Sequence, residues 1–179
     1  GRGDLSFNDM AYAGLEKAIM ELGVDGIDLE PNEGGENRPE LLSLLADQGK
    51  DLIIGVGFLF ADAMTEVATA NPDISFGIID SAVDPTNVSG MVFAEEQGSF
   101  LVGVAAGLKT TTKKIGYIGG VEFPLIQKFE AGFAAGVAAS CADCTVDVKY
   151  VTYPPDFDGF NQPSKAKEIA LAQYESGAD

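Results

Sequence analysis

This chain of 179 residues has no histidine, no tryptophan and only two cysteines. Without histidine, proton transfer near neutral pH would fall to Asp, Glu or Lys, and no isolated carboxylate pair in the apolar runs suggests it. A zinc site of the usual Cys/His kind cannot be completed from Cys141 and Cys144 alone. Cations are scarce too: eleven Lys and Arg stand against 28 Asp and Glu, a formal charge of −17. That field repels nucleic-acid phosphates and anionic membrane surfaces, so nucleic-acid polymer is not an expected partner. No apolar run approaches the about 18 residues of a membrane-crossing helix, since the longest, 52–64, already contains Asp62. Nucleotide fingerprints are incomplete as well. Gly55-Val-Gly57 has Phe where G-x-G-x-x-G needs its third glycine, and no Walker lysine follows. No cofactor and no metal is expected.

What is present is ordinary for a globular protein, with 46% hydrophobic and 22% charged residues. The run Asp51-Leu-Ile-Ile-Gly-Val-Gly-Phe-Leu-Phe-Ala-Asp62 is the most informative part. Leu52, Ile53 and Ile54 read as a strand buried on both faces, and Gly55 and Gly57 let the chain turn sharply at its carboxyl end, where open α/β sheets bind ligands. Phe58 and Phe60 then open a helix expected over 58–70. Helix and strand signals alternate elsewhere too, which predicts a parallel sheet with crossover helices. Ser6 or Asn8 is placed to cap a first helix ended by Gly23. Strands are expected at 27–30, 52–56, 74–80 and 88–93, and helices at 39–48 and 95–108. After a polar joint at 110–114 the pattern restarts with a strand at 115–120, a helix at 124–140 and a strand at 145–151. Tyr12-Ala-Gly-Leu15 is echoed by Glu130-Ala-Gly-Phe133. Two related α/β lobes are therefore expected, 1–108 and 109–179. The chain opens on a loop that leads straight into a helix and closes on a helix exit, so it reads as a fragment lacking a first strand and the distal part of the second lobe.

Cys141 and Cys144 follow a helix and precede a strand. A thioredoxin-like motif would instead place CxxC at a helix start, and the spacing leaves open a local disulfide, two unpaired thiols or redox chemistry. Arg2-Gly-Asp4 reads as loop.

Taken in order, Ser6-Phe-Asn-Asp9 before Tyr12-Ala-Gly-Leu15, Asp51-Leu-Ile-Ile-Gly-Val-Gly-Phe58, Phe76-Gly-Ile-Ile-Asp80, Glu95-Glu-Gln-Gly-Ser-Phe100, and Ile115-Gly-Tyr-Ile-Gly-Gly120 with Phe129-Glu-Ala-Gly-Phe133 resemble the basic membrane protein family. These are substrate-binding lipoproteins of ABC transporters, purine-nucleoside receptor A-like proteins among them. The resemblance implies a type I periplasmic binding protein, with two Rossmann-like lobes closing on a ligand. It also implies purine nucleoside binding without chemistry, permease partners, and an extracytoplasmic protein held by an N-terminal lipid anchor outside this sequence. A sugar or signal-molecule receptor on the same fold is the nearest alternative, and a Rossmann-like enzyme a more distant one. The two cysteines are not explained by the resemblance.

A nucleoside presents a flat base and a hydroxyl-rich ribose, so a receptor needs aromatic faces and short polar side chains. Phe7 or Phe58, beside the turn at Gly57, supplies one face and Phe129 from the other lobe the second. Stacking of this kind contributes about 1–3 kcal/mol per base. Asn8 both donates and accepts, which suits a base edge. Asp80, at the end of a buried strand, accepts from a ring N–H or exocyclic amine. Asp9 favours the first helix electrostatically.

Overall fold

A computed structural model describes residues 1–32 and 34–179. The element order is α1 (Phe7–Leu22), α2 (Arg38–Asp47), β1 (Leu52–Val56), a 3-10 turn (Phe58–Phe60), α3 (Ala61–Ala70), β2 (Ser75–Ile79), β3 (Val88–Met91), α4 (Glu95–Lys109), β4 (Lys114–Val121), α5 (Pro124–Ser140), β5 (Thr145–Thr152), a second 3-10 turn (Asp158–Asn161) and α6 (Pro163–Glu175). Local chemistry sets several of these limits. Gly23 adopts φ 69° and returns its N–H to the Ile19 carbonyl, which ends α1. Prolines in the first turns of α2, α5 and α6 stand where a missing N–H costs nothing.

Two compact units divide at Phe93 and Ala94. The division falls one helix earlier than the joint expected at 108/109, because α4 packs against α5. In the first unit β1, β2 and β3 form a parallel sheet in that order, with Val56 opposite Ile79 and Ile79 opposite Met91. Ile53, Phe76 and Ile78 pack with Leu42 and Ala46 of α2 and with Met64, Val67 and Ala68 of α3. Burying each large side chain of this kind contributes about 1.5–3 kcal/mol. The Asn87 amide ties the connection into β3 to the end of α3, donating to the carbonyls of Ala68, Asn71 and Ile74.

Three expectations are corrected here. The strand Leu52–Val56 is covered on one face only: Ile53 is buried, whereas Leu52 and Ile54 are 57% and 48% exposed. Residues 27–30 form no strand, because a strand exists through its ladder and no described neighbour offers one; Arg2 instead holds this segment through Asp28 and Glu30. The helix expected from residue 58 begins as a 3-10 turn, with α3 proper starting at Ala61.

In the second unit β4 and β5 pair in parallel, Lys114 opposite Thr145 and Val121 opposite Thr152. Ile115, Phe133 and Val137 form its core, with Tyr117, Cys144 and Val146 packed around them. Buried Gln173 of α6 donates to the carbonyls of Tyr117 and Asp147, joining the helix to both strands. The α4–α5 seam is backbone against backbone. A Cβ on Gly136 would lie 2.0 Å from the Phe100 carbonyl oxygen, and one on Gly132 2.2 Å from that of Glu96.

Gly136→Ala must push the two helices apart and is expected to lower stability by about 1–3 kcal/mol. Gly14→Ala, on a helix position with nothing within 4 Å, is expected to be neutral or to stabilise by up to about 1 kcal/mol. Urea unfolding of both variants checks the pair, and equal effects would contradict the seam.

Candidate functional site

The ladder of the first unit delivers two chain turns to one sheet edge. Beyond the pair Val56–Ile79, the Gly57 N–H donates to the Ile79 carbonyl at 3.1 Å, and the Asp80 N–H donates to the Met91 carbonyl at 2.8 Å. Residues 57 and 80 therefore leave neighbouring strands side by side, at the carboxyl edge where parallel sheets place ligands.

Gly57 adopts φ 100° and ψ 152°, a region essentially restricted to glycine. A Cβ there would lie 3.5 Å from Cε1 of Phe7, so the ring at the start of α1 lies against this turn. Phe7 is 39% exposed and offers aromatic surface. Phe58 follows directly as the first residue of the 3-10 turn. Asp80 holds φ 68°, left-handed for a residue with a side chain, although Asp tolerates this better than most. Such conformations persist where the surroundings over-determine them, and they cluster at functional sites. Four expected residues, Phe7, Gly57, Phe58 and Asp80, thus gather at one edge.

Asn8 sits one residue further along α1, and its amide nitrogen donates to Asp4 Oδ2 at 2.9 Å. Neither Ser6 nor Asn8 caps the helix. The cap is Asp4, whose carboxylate accepts the N–H groups of Ser6, Asn8 and Asp9 at 3.0, 2.9 and 3.1 Å. These donors, the Asn8 N–H foremost, hold the Asp4 carboxyl well below the usual carboxylate range. Asp9 does more than favour the helix dipole: it reaches back to accept from Gly3 and Leu5 at 2.7 and 2.8 Å. The reciprocal arrangement fixes the loop from which Phe7 emerges. An acid four residues before Asn8 was the available signal.

Phe129 belongs to the other unit, on α5, and is 37% exposed. That unit also carries aromatics that the sequence reading passed over. Beyond the carboxyl ends of β4 and β5, Phe123 and Phe157 meet edge to face with centroids 5.6 Å apart, and Tyr153 and Phe160 are more than half exposed as residues. The signal was the Gly119-Gly120 strand exit, against which the Tyr150 and Phe160 rings pack.

A disulfide joins Cys141 and Cys144 in the turn before β5, at the opposite, amino-terminal edge of that sheet. Asp143 of the same turn pairs with Lys113.

The Bmp family model, described as ABC transporter substrate-binding protein PnrA-like, matches residues 1–179. The chain belongs to the Bmp family. Among Bmp relatives, the CD4+ T-cell-stimulating antigen of Listeria monocytogenes is 38% identical over all of this chain and 50% of its own length. The ABC transporter nucleoside-binding protein BmpA of Lactococcus lactis is 35% identical over all of this chain and 50% of its own length. A solved ABC transporter solute-binding protein from Aeropyrum pernix superposes with a TM-score of 0.85 at 30% identity, covering 99% of this chain and 50% of that one. The chain spans about half the length of the curated relatives it matches. Its parallel α/β units and this likeness agree with the type I periplasmic-binding-protein fold.

Because the folded pKa of Asp4 is lowered, its contribution to α1 is full above the unfolded carboxylate's range and is lost as pH falls through that range toward the folded value. In Asp4→Asn, amide exchange at residues 8–11 is expected to accelerate at pH 7, and the difference from the parent should shrink below about pH 4, the ordinary carboxyl range. An equal difference at pH 7 and pH 3 would contradict the cap.

Proposed function

We propose that the whole protein is the extracytoplasmic receptor of an ABC transporter, binding a purine nucleoside and releasing it unaltered to permease subunits. The observation that carries this reading is the single sheet edge at which an exposed phenylalanine ring, a glycine-only turn and a carboxylate in a left-handed conformation come together. A ring face takes a flat base by stacking, and a carboxylate accepts from an N–H or exocyclic amine. Neither is a nucleophile with an adjacent base, so the arrangement favours recognition over turnover. Family membership supports the transport role, and the nucleoside-binding name of the Lactococcus relative supports the ligand class. The charge of −17 suits a small, uncharged ligand better than a nucleotide, whose phosphates it repels. Attachment to the membrane is through an N-terminal lipid anchor.

Calorimetry of the whole protein with inosine, guanosine or adenosine is expected to show saturable binding, with no free base or other product by chromatography. Phe7→Ala, Phe58→Ala and Asp80→Ala should each weaken binding about tenfold or more, equivalent to about 1.4 kcal/mol, while the fold is kept. Binding of hexoses only, turnover of the nucleoside, or parental affinity in all three folded variants would overturn the reading.

A further inference from the structure

The charge of this chain is unevenly placed. Residues 1–93, the first compact unit, hold 17 Asp and Glu against four Lys and Arg, a net −13, whereas residues 94–179 hold 11 against seven, a net −4. The imbalance is sharpest around the first sheet. From Asp51 to Phe93 there is no Lys or Arg, yet this stretch supplies β1, α3, β2 and β3 and carries Asp51, Asp62, Glu66, Asp73, Asp80 and Asp84.

Ion pairs do not offset the excess. Among the described residues the first unit has two, Arg2–Asp28 and Lys17–Glu21, both on exposed side chains and neither within the sheet or α3. The second has three, Lys113–Asp143, Lys128–Glu95 and Lys149–Asp147. Some acids of the first unit have local work: Asp4 and Asp9 bind backbone N–H groups, and Asp62 stands in the first turn of α3, where the helix dipole favours it. Glu66, Asp73 and Asp84 lie exposed on the surface of the same unit without such a role.

How far these charges repel one another is set by salt. A folded body of about 90 residues has a radius of gyration of about 12 Å. The screening length is about 30 Å at 0.01 M salt and about 3 Å at 1 M. In dilute salt every charge of the first unit therefore acts on every other, and in concentrated salt only immediate neighbours do. A net charge far from zero works against the compact state, because unfolding lets like charges separate. What opposes it in the sheet is the packing of Ile53, Phe76 and Ile78 on Met64, Val67 and Ala68, an attraction that does not depend on charge.

We infer that the first unit is salt-responsive: ionic screening relieves a self-repulsion that otherwise opens its sheet, while the second unit stays closed in dilute and concentrated salt alike. The carboxyl edge formed by Gly57 and Asp80 is then held most firmly where salt is abundant. This holds whatever ligand the edge receives.

Hydrogen exchange of the whole protein, read unit by unit, tests the inference, with the second unit as the reference for any general effect of salt on exchange. Between about 0.01 M and about 1 M KCl, amides 53–56 and 76–79 are expected to slow at least about tenfold relative to amides 115–121 and 146–151. NaCl at equal concentration should act equally, because screening depends on charge and not on fit. Glu66→Lys/Asp73→Lys, which puts two cations into the cation-free stretch, should slow amides 53–56 and 76–79 in dilute salt and shrink their response to KCl. Glu168→Lys, at an exposed position of the second unit, should leave that response at its parental size. Equal responses in the two units, no response, or an effect of one cation alone would overturn the inference. So would a response that the double variant leaves unchanged, since the charge around the sheet would then not be its source.

Discussion

The parallel ladder between β1 and β2 is the constraint on which the candidate site depends. Because Val56 lies opposite Ile79, the two chains leave the sheet level with one another, and the Gly57 N–H continues the ladder by one bond to the Ile79 carbonyl. A slip of one residue by either strand would exchange that strand's two faces, withdrawing Ile53 in one case or Phe76 and Ile78 in the other from the core. Core packing therefore specifies the register, and the register places Gly57 and Asp80 side by side. The edge can then tolerate φ 100° at Gly57 and φ 68° at Asp80, since the strands behind them over-determine both turns.

Around this frame each unit fixes its aromatic candidate by different means. In the first, two carboxylates bind the backbone of the opposite segment: Asp4 accepts from the start of α1, and Asp9 accepts from the loop before it. Phe7 emerges between them. In the second, glycines let two helices meet backbone to backbone, and Glu95 and Ser99 tie the resulting pair near Phe129. Polar bonds position the first ring through a loop, and close packing positions the second through a helix. In both, the ring is presented from backbone that has little freedom to move.

Much of this was legible in the sequence where one local signal dominated. Leu52-Ile-Ile54 followed by Gly55 and Gly57 matched β1 to the residue, and the helix expected at 124–140 matched α5. Where the outcome depended on a neighbour, local pattern failed. Ile27 and Leu29 have the composition of a strand but no ladder to join, and the apolar face of Leu52 and Ile54 looks buried only if a covering layer is assumed. The joint expected at 108/109 treats α4 as the end of one pattern, whereas the glycines of α4 and α5 pack the two helices together. At the site, glycine and strand-end positions were readable, whereas Asp4 was not chosen over Ser6 and Asn8, because the cap is decided by backbone angles that composition does not reveal.

Hydrogen exchange of the whole protein with and without saturating inosine tests the central claim, that the carboxyl edge of the first sheet is the ligand's seat. Protection is expected to rise at residues 57–60 and 80–82 and to stay unchanged at 49–51 and 73–75, at the amino-terminal edge of the same strands. Saturation that leaves 57–60 and 80–82 unprotected, or protects the amino-terminal edge instead, would contradict the account.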